Sequence, residues 1–274
     1  MANGFSGTMD WILPDFAEAF SLAGFATLIF DYRYLGVSDG EPRQLIDPEE
    51  QLKDLKNAID FIRNFKGIDV TRIALWGTSL GGSHVFNVAA SDSRIAAVIG
   101  NMPAIDAVKG ANVAAKMRDA RATKLELVTV TMRLLSAAVT DSIKGWLGRT
   151  PLYLKVYGKP GKAVFTDPAL AASFENVERN CPTWQNKFAA RFLLKAPRYK
   201  EGTFEKIRVP ILLTLATDDV EVSIDYVKEK ASRAVDVEIN EYVCGHFDIY
   251  HGEMLTRVTG DQLVFLKKTL QERS

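Results

Sequence analysis

Ala74-Leu75-Trp76-Gly77-Thr78-Ser79-Leu80-Gly81-Gly82-Ser83-His84 decides how the rest of the chain is read. An apolar strand, Ile73 to Trp76, runs into Gly-Thr-Ser-Leu-Gly, and a run of small and apolar residues suited to a helix follows. This is G-x-S-x-G between a strand and a helix, the pattern of a nucleophile elbow. So tight a turn forces the serine into a strained backbone region and leaves no room for side chains two residues to either side, hence Gly77 and Gly81. The helix then points its N-terminus at Ser79, which favours negative charge developing there.

Outward from the elbow, the pattern is that of a parallel sheet. Asp15 to Ala23 reads as a helix stopped by Gly24, and Phe25 to Phe30 as a short, fully apolar strand. Asp47-Pro48-Glu49-Glu50 reads as a helix start, with Asp47 as cap and Glu50 completing a capping box. Leu52, Leu55, Ile59 and Ile62 form the buried stripe of that helix, and Gly67 ends it. Ile95 to Ile99 and Val209 to Leu215 read as buried strands, and Val235 to Val243 holds another. Helices are expected over Ile224 to Ala234 and Leu255 to Gln271. Strands alternating with helices imply an α/β fold with a mostly parallel sheet.

The rhythm breaks between Pro103 and Lys206, where helical patterns dominate. This is too long for a loop and reads as an inserted helical cap, dividing the core into residues 1–102 and 207–274 around a cap at 103–206. Residues 107–150 hold eight basic residues (Lys109, Lys116, Arg118, Arg121, Lys124, Arg133, Lys144 and Arg149) against three acidic ones, read as a solvated face.

Composition narrows the function. The 274 residues carry 34 Lys plus Arg against 34 Asp plus Glu, so nothing favours nucleic acid or an anionic membrane. No run is long and apolar enough to suggest a transmembrane helix. Cys181 and Cys244 form neither a metal spacing nor a disulfide framework and read as core residues of a reducing, cytoplasmic protein. No metal or organic cofactor is expected, and a homodimer is compatible with the sequence.

Three candidate groups fall just past strand ends: Ser79, Asp218 or Asp219, and His246. In open α/β sheets that edge is where sites form. The order Ser, acid, His suits a hydroxyl nucleophile whose proton passes to His246, with the acid fixing the imidazole tautomer. Asp219 is preferred because it lies one residue further out than Asp218; Asp106 is the weaker alternative, and Asp31 is expected to organise its own loop. Of the other histidines, His84 reads as a packing or hydrogen-bonding residue and His251 as a surface one.

Four segments extend the likeness: Asn3-Gly4-Phe5-Ser6-Gly7; Phe30-Asp31-Tyr32-Arg33 with Gly36, Ser38 and Gly40; the elbow; and Asp219 with Gly245-His246. Together they resemble the α/β-hydrolase superfamily, nearest to dienelactone hydrolase-like enzymes and the catalytic domain of X-Pro dipeptidyl peptidases. The resemblance implies a serine hydrolase acting on a small-molecule ester, thioester or lactone through an acyl-enzyme. It also implies an oxyanion hole made by the backbone N–H groups of Phe5 and Leu80. Peptidase, acyltransferase and perhydrolase activities share the fold and stand as alternatives. Phe174, Trp184, Phe188 and Phe192 are expected to form cap core or an apolar pocket wall.

Asn3 stands where that family often has His. The family also has strands ahead of the oxyanion loop, one of them between the strands at Ala26–Phe30 and Ile73–Trp76. The chain is therefore expected to be N-terminally shortened, in which case a signal peptide could also be out of view, and a non-catalytic protein disabled by the lost strand is the alternative from another class.

Overall fold

The computed structural model describes residues 1–112 and 123–271. Its core is a four-stranded parallel sheet in the order β1-β2-β6-β7, formed by Ala74–Thr78, Ala97–Asn101, Ile211–Ala216 and Val237–Tyr242. Every residue of β2 and β6 is buried, as continuous apolar runs covered on both faces require. Helix α3 (Leu80–Ala89) follows β1 directly, and a terminal helix, Gly252–Leu270, packs on the sheet. Beneath the sheet's surface the terminal helix supplies Gln262, which accepts from Trp76 Nε1 at 2.9 Å and donates to Asn101 at 2.7 Å and Thr214 at 3.1 Å. These bonds tie three adjacent strands to one helix and satisfy the Trp76 N–H, the Asn101 Oδ1 and the Thr214 hydroxyl in the core.

Asp47 caps helix α2 (Pro48–Arg63) as expected, accepting from the N–H groups of Glu49 and Glu50. The capping box does not form. Glu50 turns instead to Arg33 and Lys53, because an adjacent guanidinium and an ammonium outcompete one backbone N–H for its charge.

Residues Phe25–Phe30 are a second correction: they have no regular secondary structure and join no strand ladder. A strand needs a partner, and the partner's place beside β1 is only partly taken. Ala2 occupies its upper end, donating to the Trp76 carbonyl at 2.8 Å and accepting from Thr78 N–H at 3.2 Å, a single parallel bridge to Gly77. The Met1 amino group spans to the Leu28 carbonyl at 2.7 Å, and its burial lowers its pKa to about 5. Below Met1, a cleft of about 330 Å³ remains between the 25–30 segment and β1, lined by Leu28, Ala58, Ile59, Leu75 and Leu266 among others.

Between β2 and β6 lie a long helix, α4 (Lys124–Trp146), and a small sheet in the order β4-β3-β5, formed by Ala163–Phe165, Tyr153–Tyr157 and Phe188–Ala189. Helix Ala171–Asn180 packs nearby. Helix still holds more of the described residues of this stretch than strand does, and the small sheet is an addition that the sequence pattern did not foresee. Lys116, Arg118 and Arg121 lie outside the described residues. Among the described residues no helix is long and apolar enough to cross a membrane, and none of their His, Cys, Asp and Glu side chains group to hold a metal ion.

Candidate active site

Parallel strands deliver the predicted residues to one edge. Ser79 follows β1, Asp219 lies three residues past β6, and His246 lies four past β7. Ser79 adopts φ 51° and ψ −116°, a backbone strain worth about 1–3 kcal/mol in a residue with a side chain. Its surroundings hold it there. Its N–H donates to the Asn101 carbonyl at 2.8 Å and its carbonyl accepts from Ala104 at 2.9 Å. A Cβ at Gly77 would collide with the Gly81 carbonyl, and one at Gly81 with the Ala2 carbonyl. The two glycines are thus required by backbone crowding, the second of them by the chain's own first residues.

His246 and Asp219 are brought together. Both are buried, and His246 Nδ1 lies 2.7 Å from Asp219 Oδ2. The other carboxylate oxygen accepts from the N–H groups of Glu221 at 2.7 Å and Val222 at 2.8 Å. Asn112 donates to the Asp219 carbonyl at 2.7 Å. The carboxylate is therefore fixed in position before it meets the imidazole. Asp218 is exposed, its backbone N–H bonded to the Cys244 carbonyl. Asp106 is spent elsewhere: it accepts from Val108, Lys109 and Tyr199 N–H groups and faces Arg198. Asp31 accepts from Met9 and Val37 N–H groups, organising its loop.

His84 is buried against Gln51, 3.0 Å from Oε1, with Tyr32 edge-on to its ring; burial lowers its pKa to about 3. His251 is exposed before the terminal helix. Cys181 and Cys244 are buried free thiols whose pKa burial raises to about 11.

The loop at residues 3–8 leans on the elbow: a Cβ on Gly4 would sit 3.3 Å from Ser79 Cβ. Asn3 builds this loop. Its Nδ2 donates to the carbonyls of Thr8 at 2.7 Å and Trp11 at 3.0 Å, and its Oδ1 accepts from Gly4 N–H at 2.8 Å. Gly4's N–H is thereby occupied, so the next N–H along, that of Phe5, is the loop's candidate donor. Leu80 is the first residue of α3, where an N–H has no partner within its own helix.

The Phe5 ring is gripped from the region between β2 and β6, with centroids 4.9 Å from Phe188, 4.8 Å from Phe192 and 6.1 Å from Phe165. Phe247, beside His246, meets Phe165 at 5.1 Å and Phe174 at 5.5 Å. Trp184 packs 5.9 Å from Phe174 and 5.8 Å from Trp11. The four aromatics singled out in the sequence are thus packing core that reaches down to the site. Sequence reasoning missed the side-chain role of Asn3 and the 2.5 Å bond between Thr78 Oγ1 and the Tyr250 hydroxyl, which ties the His246 segment to the elbow. Neither has a local sequence signature, since each partner is chosen by the tertiary fold.

Comparison with known proteins gives the chain's family and fold. The family model described as Hydrolase_4, serine aminopeptidase S33, matches residues 1–246. The chain is 36% identical over 270 residues to quorum-quenching protein AidA of Acinetobacter baumannii (strain MDR-ZJ06), covering 98% of this chain and 85% of that protein. It is 40% identical over 107 residues to thiohydrolase aneE of Aspergillus aculeatus, covering 39% of this chain and 34% of that protein. The crystal structure of alpha/beta hydrolase GrgF from Penicillium sp. sh18 superposes with a TM-score of 0.76 at 26% identity, covering 99% of this chain and 89% of that one.

Proposed function

The chain belongs to the serine aminopeptidase S33 family of α/β hydrolases, and on that premise we propose that it cleaves a small carboxylic ester or thioester through an acyl-enzyme on Ser79. The observation that carries this reading is the buried 2.7 Å contact of His246 Nδ1 with an Asp219 carboxylate already fixed by two backbone N–H groups. That contact holds the Nδ1–H tautomer and leaves Nε2 as the basic nitrogen. His246 takes the Ser79 proton as the hydroxyl attacks the acyl carbonyl. Leu80 and Phe5 N–H groups receive the oxyanion, each stabilising it by roughly 3–4 kcal/mol. The imidazolium then protonates the leaving alcohol or thiol, and water repeats the sequence to free the acid.

A thioester is included because a thiolate leaves without needing a strong general acid, and because a relative is named a thiohydrolase. The family description names an aminopeptidase, so aminoacyl anilides belong in the same assay. The test compares p-nitrophenyl esters, acyl thioesters of N-acetylcysteamine and aminoacyl p-nitroanilides. Ester or thioester turnover is expected, falling by roughly 10⁴-fold or more in Ser79→Ala, together with loss of fluorophosphonate labelling. Labelling that persists in Ser79→Ala would overturn the assignment. Product analysis with a competing alcohol separates hydrolysis from acyl transfer.

A further inference from the structure

Helix α4 carries an apolar stripe that the other described residues leave uncovered. Leu125, Val128, Met132, Leu135, Val139 and Ile143 recur at intervals of three and four, and Trp146 continues the series. All seven are exposed, Leu125 by 76%, Met132 by 62% and Trp146 by 86%. Intervals of three and four over three turns or more are the spacing that lets one helix seat against another along a seam. The helix is also held rigidly from a different face. Buried Asp141 accepts from Leu152 N–H at 2.6 Å, and from the backbone N–H and Nε of Arg191 at 2.9 and 2.8 Å.

We propose that this stripe is the interface of a homodimer, each copy's α4 packing on the other's about a two-fold axis. Three observations select a second copy. At side-chain areas of the order of 150–250 Å² each, these exposures leave roughly 800 Å² uncovered, the share one partner gives to a standard-size interface. A straight stripe of aliphatic residues is complementary to itself, as an isologous contact demands. The residues flanking it are mostly hydroxyl-bearing and uncharged, Thr129, Thr131, Ser136 and Thr140, and the helix carries three basic residues against two acidic ones. A helix lying on a lipid surface needs a strongly charged, Lys- and Arg-rich opposite face, which this one lacks.

Sedimentation velocity across about 1–200 μM tests the interface. The native chain is expected to sediment as a dimer at the upper concentrations and the Met132→Glu, Val139→Glu double variant as a monomer throughout. Both side chains are exposed in the single chain, so thermal melting should match the native chain at concentrations low enough for the native chain to be monomeric. Independently of that variant, Leu135→Cys should cross-link copy to copy under mild oxidant, with Cys181 and Cys244 buried and silent. A native chain that stays monomeric at 200 μM, or a dimer indifferent to the double substitution and giving no Leu135→Cys cross-link, overturns the proposal. So does a monomer that floats with phosphatidylcholine vesicles through the same stripe.

Discussion

The two ends of β1 are built to opposite standards. At its C-terminal end every group is constrained: Ser79 is held by Asn101 and Ala104, Gly81 is pressed by the Ala2 carbonyl, Thr78 is bonded to Tyr250, and the loop at Asn3 is tied internally by three hydrogen bonds. Toward its N-terminal end the same strand borders a cleft of about 330 Å³, whose other wall is the 25–30 segment that it does not pair with. One strand therefore carries a tightly determined end and a loosely filled one. Strain is kept only where surrounding structure enforces it, and here enforcement is concentrated at the end where chemistry is proposed. Substitutions at the upper end should then register in turnover, and those at the lower end in stability alone.

The sharpest way to break that contrast is Asp219→Asn. The amide keeps an oxygen for the Glu221 and Val222 N–H groups but cannot hold the His246 tautomer as a carboxylate does. Turnover is expected to fall about 10³–10⁴-fold, with melting nearly unchanged. A loss of fold with the activity would mean that the upper end is structural rather than catalytic in design.

Phe192→Ala probes how far the constraint at the upper end reaches. Phe192 touches the Phe5 ring at 4.8 Å, so its removal loosens the loop that offers the Phe5 N–H. A cost of about 3 kcal/mol in stability is expected. Alongside it kcat should fall about tenfold or more while KM moves less, because misplacing a donor harms the transition state more than the bound substrate. A change in KM alone would assign Phe192 to substrate packing.

His84 sits on α3 behind the elbow and gives the comparison a pH axis. Burial lowers its pKa to about 3 against 6.5 when unfolded, so below 6.5 the unfolded chain binds the extra proton. Stability from this group is full above pH 6.5 and drains as pH falls toward 3. Between pH 6.5 and 5 the loss is about 2 kcal/mol. Chemical denaturation at those two pH values should show it, and His84→Gln should remove most of the difference.

The upper end was legible in the sequence and the lower end was not, for a physical reason. The elbow announces itself because the crowding at Gly77 is local, against the Gly81 carbonyl within the same turn, although Gly81 itself is pressed by the distant Ala2 carbonyl. The preference for Asp219 over Asp218 followed from distance along a strand; in the fold Asp218 is exposed and Asp219 is the one that meets His246. Phe25–Phe30 misled because an apolar run states what it can pair with, not whether a partner is present. Glu50 misled because Arg33, distant in sequence, competes for it. The short strands β3–β5 have no clear alternation, and Asn3 works through side-chain bonds that residue type alone does not specify.

The smallest expected effect tests the lower end directly. Ala58 on α2 lines the cleft, and Leu in its place adds three carbons at a helical position that favours both residues. If the cleft persists as described, the added side chain buries apolar surface without displacing a neighbour. The gain should be about 1 kcal/mol, a midpoint shift of about 2 °C, with kcat and KM unchanged. If Ala58→Leu instead destabilises, the room is absent: the 25–30 segment closes on β1 in solution, and overpacking costs what burial would have gained. The two outcomes differ in sign, so even a shift of this size separates a strand with one loose end from a strand packed along its whole length.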